Sequence, residues 1–236
     1  MATTAPVNKT TFTLAPAGTH IARVYRFMNL GTRFQEYQGK KKDYPDTLVT
    51  FTLELPNEMN EFEYEDKETG EKKKVSKPFV ISREFTLSMG KKSNLRPFVE
   101  GIIGTTLTDE EAGAFDIETL VGMACQATIT HQQSKSDPDR KYANLTSVAP
   151  LMKGIEAPAQ INDTQIQDVK TMTEEEIEEL PDFIKNKIKV SDEYKARFDP
   201  AEIQRKKDLQ ANIDARTGQG APEFPEDEIN PADIPF

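Results

Sequence analysis

The chain has 236 residues, with 30 Lys/Arg against 40 Asp/Glu for a net charge of −10, one cysteine and no tryptophan. A single cysteine excludes an intramolecular disulfide framework and a multi-cysteine zinc site, and no run reaches the roughly eighteen apolar residues of a membrane span. The charge is uneven: residues 1–150 carry 19 basic and 20 acidic side chains (−1), whereas residues 151–236 carry 11 and 20 (−9), the pattern of a near-neutral body joined to an acidic interaction tail.

Residues 1–20 lack the basic start and apolar run of a signal peptide, so a soluble cytoplasmic protein with no membrane partner is expected. Strand patterns follow at "THIARVYRF" (19–27), "DTLVTFTLEL" (46–55) and "PFVISREFTLSM" (78–89), each rich in β-branched and aromatic residues with period-two stretches such as Val49, Phe51 and Leu53. Residues 56–77 read as a hairpin inserted between the second and third strands, its acidic arm "EFEYED" facing the basic "EKKKVSK". The period turns helical over 92–121, where Leu95, Phe98, Val99, Ile102 and Ile103 share a face and Thr108 with Glu111 forms a capping-box signal. Strand character returns in "MACQATITHQQ" (123–133) and "KYANLTSVAPL" (141–151), separated by a turn-rich loop.

This order predicts a mainly β protein. A five-stranded barrel with its helix between strands three and four is the OB-fold arrangement, which binds ligands on the face of strands two and three and on the loops after strands one and four. Residues 1–152 would form that domain. Residues 153–216 read as linker and short amphipathic helices, with a capping box at Thr173 and Glu176 and a thin apolar stripe of Ile177, Leu180, Phe183, Ile184 and Ile188, too sparse for a core of its own. Residues 217–236 read as an acidic, Pro-rich tail with too little apolar surface to offset its ordering entropy, hence disordered alone.

The first of those loops, "GTRFQEYQGKKKDY" (31–44), interleaves Arg33, Lys40, Lys41 and Lys42 with Phe34, Tyr37 and Tyr44. Single-stranded nucleic acid suits this mixture, because cations follow phosphates while rings stack bases. Arg83 and Phe85 on the third strand, Lys91 and Lys92 after it, Arg140, Lys141 and Tyr142 after the second loop, and Arg23 on the first strand extend the candidate rim. The opposing interpretation is an ordinary solvated surface.

Walker, GxGxxG, HExxH and CxxC signatures are absent, and neither cofactor nor metal is expected. Cys125 and His131 stand about 20 Å apart if they share one strand, too far for a nucleophile and its base. "PD" at 45–46 and "EKK" at 71–73 loosely match a metal-dependent nuclease pattern in which Asp46 and Glu71 would hold the cation and Lys73 orient water. The sequence is read as non-enzymatic.

The tip "ADIPF" resembles the C-terminal peptide of bacterial single-stranded DNA-binding proteins, and residues 82–154 with "LPDFIKNKIKVSDEY" resemble a family of bacteriophage OB-fold single-stranded DNA-binding proteins. The resemblance implies sequence-independent coating of single-stranded DNA in phage replication or recombination. It also implies recruitment of replication or recombination enzymes through Asp233, Ile234, Pro235 and Phe236. The family's stacking residues and assembly do not transfer, because Trp is missing and a helical segment replaces the long linker. A protein-interaction scaffold without nucleic acid is the alternative.

Overall fold

Alternation around Ala22, Arg23 and Val24, followed by a run buried on both faces from Phe27 to Gly31, makes residues 18–33 a strand long enough to serve two sets of neighbours. A computed structural model describes residues 13–37, 39–65, 72–134, 137 and 140–217. In it β1 (Gly18–Arg33) is the spine of a six-stranded sheet. On one side β1 pairs antiparallel with β4 (Asp46–Glu65), which continues into β5 (Lys72–Thr86). On the other side residues 18–23 pair with β6 (Ala124–Gln133), which pairs with β7 (Lys141–Pro150), and residues 26–29 pair in parallel with β8 (Gln165–Asp168). A register shift between Val24 and Arg26 marks the change of partner, since a bulge bends the strand and re-aims its edge. Between β1 and β4, β2 (Glu36–Tyr37) and β3 (Lys40–Lys41) form a separate two-stranded ribbon.

The hairpin expected as an insert is a direct extension of β4 and β5. The ladder shifts register between Leu55 and Met59, where Pro56 cannot donate to it, and then resumes to pair Glu63 with Lys74 and Glu65 with Lys72. Two helices and a 3-10 turn connect β5 to β6: α1 (Leu95–Ile103), α2 (Asp109–Ala114) and residues 117–120. The capping box of Thr108 and Glu111 is formed. Leu95, Phe98, Val99 and Ile102 of α1 are buried on the sheet. Gly101 lets α1 approach β7, because a Cβ there would lie 2.6 Å from the carbonyl oxygen of Val148. The main core is centred on Phe27, Phe51, Phe85 and Phe98, whose neighbouring ring centroids are 4.7–6.3 Å apart, close enough for favourable tilted packing.

The sheet is not closed. Its order is β5-β4-β1-β6-β7, with β8 beside β1. Among the described residues no ladder joins β5 to β7, so the closed five-strand barrel expected from sequence is absent. One side chain spans the gap: Arg83 Nη1 donates to the carbonyls of Leu145 at 3.0 Å and Thr146 at 3.2 Å.

Four helices complete the described chain: α3 (Glu174–Glu178), α4 (Asp182–Lys189), α5 (Asp192–Phe198) and α6 (Pro200–Thr217). The Thr173–Glu176 capping box is formed. Their thin stripe does dock, on the outer face of the sheet. Ile177, Ile184 and Ile188 join Val169, Met172 and the sheet residues Met28, Leu30 and Leu48 in a second core. Gly31 (φ +84°) admits the start of α5, since a Cβ would stand 2.6 Å from that of Ser191. No described helix is long and apolar enough to cross a membrane. The acidic tail expected from residue 217, with Asp233, Ile234, Pro235 and Phe236, lies outside the described residues apart from Thr217, the last residue of α6.

Candidate nucleic-acid interface

Two open grooves lie along β5, one at each end of the strand, and the second also takes in residues of β7. The first, about 710 Å³, is walled by Gln35, Lys42 and Tyr44 of the loop between β1 and β4, by Asp46 at the start of β4, by residues 84–88 at and just past the end of β5, and by Lys92 and Asn94 beyond it. Lys42, Tyr44 and Lys92 thus meet in one place. Tyr44 is 65% exposed and Phe34, on the same loop, 48%. The loop is shaped by the β2–β3 ribbon, where Tyr37 registers against Lys40, and by the Lys42 amide donating to Gln35 at 2.9 Å. The side chains of Tyr37 and Lys41 lie outside the described part of the structure.

Lys42 Nζ lies 2.5 Å from the buried carboxylate of Asp46 and 5.8 Å from the Tyr44 ring centroid. The hydrogen bond to Asp46 holds the Lys42 ammonium above its ordinary pKa. The ammonium thus sits beside the ring and also neutralises a carboxylate that could not be buried alone.

Several cations foreseen on the rim have internal partners. Lys91 lies 2.9 Å from Asp109, which also pairs with Arg96 at 2.7 Å, and the bonds from Arg96 and then Lys91 hold the Asp109 carboxyl below its usual range. Arg33 Nη1 donates to the carbonyl of Lys187 and its Nη2 stands 4.0 Å from Glu84, which Lys187 approaches to 2.6 Å. Arg23 is displaced from the candidate site. It donates to the carbonyls of Pro158 and Gly122, clamping residues 153–164 against β1. Phe85 also requires correction as a contact: only 3% exposed and packed on Phe98 and Phe51, it is a core ring without a face for a base. Arg83 lies 5.2 Å from its centroid.

The second groove, about 590 Å³, gathers Tyr142 with Asn60 and Phe62 of β4, Lys77 and Val80 of β5, and Asn162. Phe62 is 41% exposed and Tyr142 40%, and the neighbouring Arg140 and Lys141 are exposed. The sequence reading missed Phe62, Asn60 and Lys77. The signal was available in the alternation of "NEFEY", whose rings were read only as part of a neutralised hairpin.

The face of strands two and three, corresponding to β4 and β5, is largely covered on the β4 side. Glu54 has no exposed surface, and its oxygens accept hydrogen bonds from the amides of Ile161 and Asn162 at 2.7 and 2.8 Å. Thr52 is buried between Arg26 and Ser82. Val80, Ser82 and Glu84 of β5 stay exposed.

Cys125 is fully buried, and desolvation pushes its thiol up to about 12, which makes it a poor nucleophile. His131 Nε2 lies 2.8 Å from the carbonyl oxygen of Ala15. Of the nuclease pattern, Asp46 is engaged by Lys42 and Glu71 lies outside the described residues, as does the side chain of Lys73. Among the described residues no group of three His, Cys, Asp or Glu could hold a metal ion. No protein-family model and no curated protein matches the chain.

Proposed function

We propose that this protein is a non-enzymatic, sequence-independent binder of single-stranded DNA built on a partly open OB-type barrel, acting in phage replication or recombination. The strand order β5-β4-β1-β6-β7, with α1 between the third and fourth long strands, agrees with such a barrel whose last closure is incomplete. The observation that carries the function is the convergence of Lys42, Tyr44 and Lys92 on one open groove, with Phe34 exposed on the same loop as Tyr44. Rings and cations together suit unpaired bases and their phosphates, and each stack contributes roughly 1–3 kcal/mol. The acidic segment with Asp233, Ile234, Pro235 and Phe236 would offer a partner enzyme the Phe236 ring and the Asp233 carboxylate.

Fluorescence titration with labelled oligo-dT and with duplex, at two salt concentrations, tests this. The expected result is preference for the single strand and affinity that falls with salt as counterions are released. Phe34→Ala with Tyr44→Ala should weaken binding by about tenfold or more, since two stacks are lost. Removing residues 222–236 should leave or raise oligo-dT affinity while abolishing capture of the partner enzyme.

The internal pairing of Lys42, Lys91 and Arg33 favours a second interpretation, a scaffold that organises proteins and binds no nucleic acid. Absence of oligonucleotide binding at low salt would select it.

A further inference from the structure

Both grooves are walled by β5. Residues 77–82 of β5 wall the groove at Tyr142, Arg83 spans the gap, and residues 84–88 wall the groove at Tyr44. A third concavity of about 160 Å³ lies between them, lined by Arg83, Asn94 and Thr146 among others, and Asn94 is shared with the Tyr44 groove. The charged residues of these walls are Lys42, Lys77, Arg83 and Lys92 against Asp46 and Glu84. Lys42 meets Asp46, and Lys187 meets Glu84. The lining is therefore cationic on balance and complementary to a polyanion. Exposed rings stand at both ends, while the neighbouring outer face of β4 is filled by the chain around Ile161 and by α4.

We propose that a single nucleic-acid strand lies along the open β5–β7 seam, its bases stacking on Tyr44 at one end and on Phe62 and Tyr142 at the other, with a phosphate at Arg83. This rests on the single-strand-binding function proposed above and adds the ligand's path and footprint. A guanidinium has five N–H donors in a fixed fork, and Arg83 reaches Leu145 and Thr146 through Nη1 alone. The group that bridges the gap can thus also donate to a phosphate oxygen on its outer side. The nine residue steps from Lys77 to Thr86 cover about 30 Å, a length that about nine nucleotides span at the duplex spacing of about 3.4 Å.

The test uses the full chain and oligo-dT of about 4, 9 and 16 nucleotides, which brackets the site sizes of such barrels. Affinity should rise steeply from the shortest to the middle length and little beyond. Phe62→Ala with Tyr142→Ala changes two exposed side chains and should retain the fold. It should weaken the middle oligomer by about tenfold or more as two stacks are lost. Phe183→Ala, an exposed ring on the helix-covered side, should leave affinity unchanged. If the double variant stays within threefold of wild type while wild type binds, the seam is not the path. If Phe183→Ala weakens binding as much as the double variant, the strand crosses the outer face instead. If wild type binds no oligomer, the path and the function it rests on both fall.

Discussion

Glu54 is a carboxylate without exposed surface in the middle of β4, and it accepts three hydrogen bonds: two from the amides of Ile161 and Asn162 and one from the Asn162 side chain at 2.5 Å. Hydrogen bonds to a charged group contribute more than neutral ones, and removing the acceptor leaves buried donors unmet. Glu54→Gln should therefore lower unfolding free energy by roughly 2–3 kcal/mol in urea titration, with faster proteolysis around residue 161. Little of this was legible. In "DTLVTFTLEL" the alternation places Val49, Phe51 and Leu53 in the core but carries no signal for Glu54, because its partners arrive 107 and 108 positions later. Phe85 failed for the opposite reason. A ring next to an arginine in period two looks like a rim pair, but the Phe85 ring packs inward on Phe98 while Arg83 reaches across to the carbonyls of Leu145 and Thr146.

At the scale of elements, the helices after β8 have no core of their own and depend on the sheet. Ile177 and Ile188 are fully buried against a patch that includes Met28, Leu30 and Leu48. Ile188→Ala should cost about 2–5 kcal/mol, seen as a lower denaturant midpoint with little change in slope. A chain truncated before β8 would expose Met28 and Leu30 and should bind a hydrophobic dye. The helical stripe, both capping boxes and five long strands were legible because period and caps are local signals. β8 was not. "QIQD" has no strand signal of its own, and it pairs with β1 because the Tyr25 bulge leaves residues 26–29 an open edge once β6 has ended. The open seam was hidden for a similar reason, since pairing between β5 and β7 depends on how far each strand twists away.

For the whole molecule, acid should act through a scattered set of carboxylates. Glu178 is held below its ordinary value of 4.5 by Lys189 and Lys185, Asp109 below 3.8 by Arg96 and Lys91, and Glu100 below 4.5 by the Leu107 amide and Arg96. A depressed folded pKa stabilises fully above the unfolded value and is lost as pH falls through the folded one. Thermal midpoints should accordingly stay level from neutral pH to about 5 and decline below about 4.5, checked by calorimetry across that range. Asp109 and Glu178 are exposed and Glu100 is half-buried, so added salt should flatten the decline. The parallel pairing of β8 with β1 also has a consequence for synthesis on the ribosome. Asn29 donates to Asp168, a partner translated 139 residues later, which at ordinary elongation rates means a wait of about 7–28 s. For at least that interval a nascent polypeptide holds an unsheltered sulfur-bearing and aliphatic strip at its first strand, a surface open to chaperone capture until the covering helices with Ile177, Ile184 and Ile188 emerge.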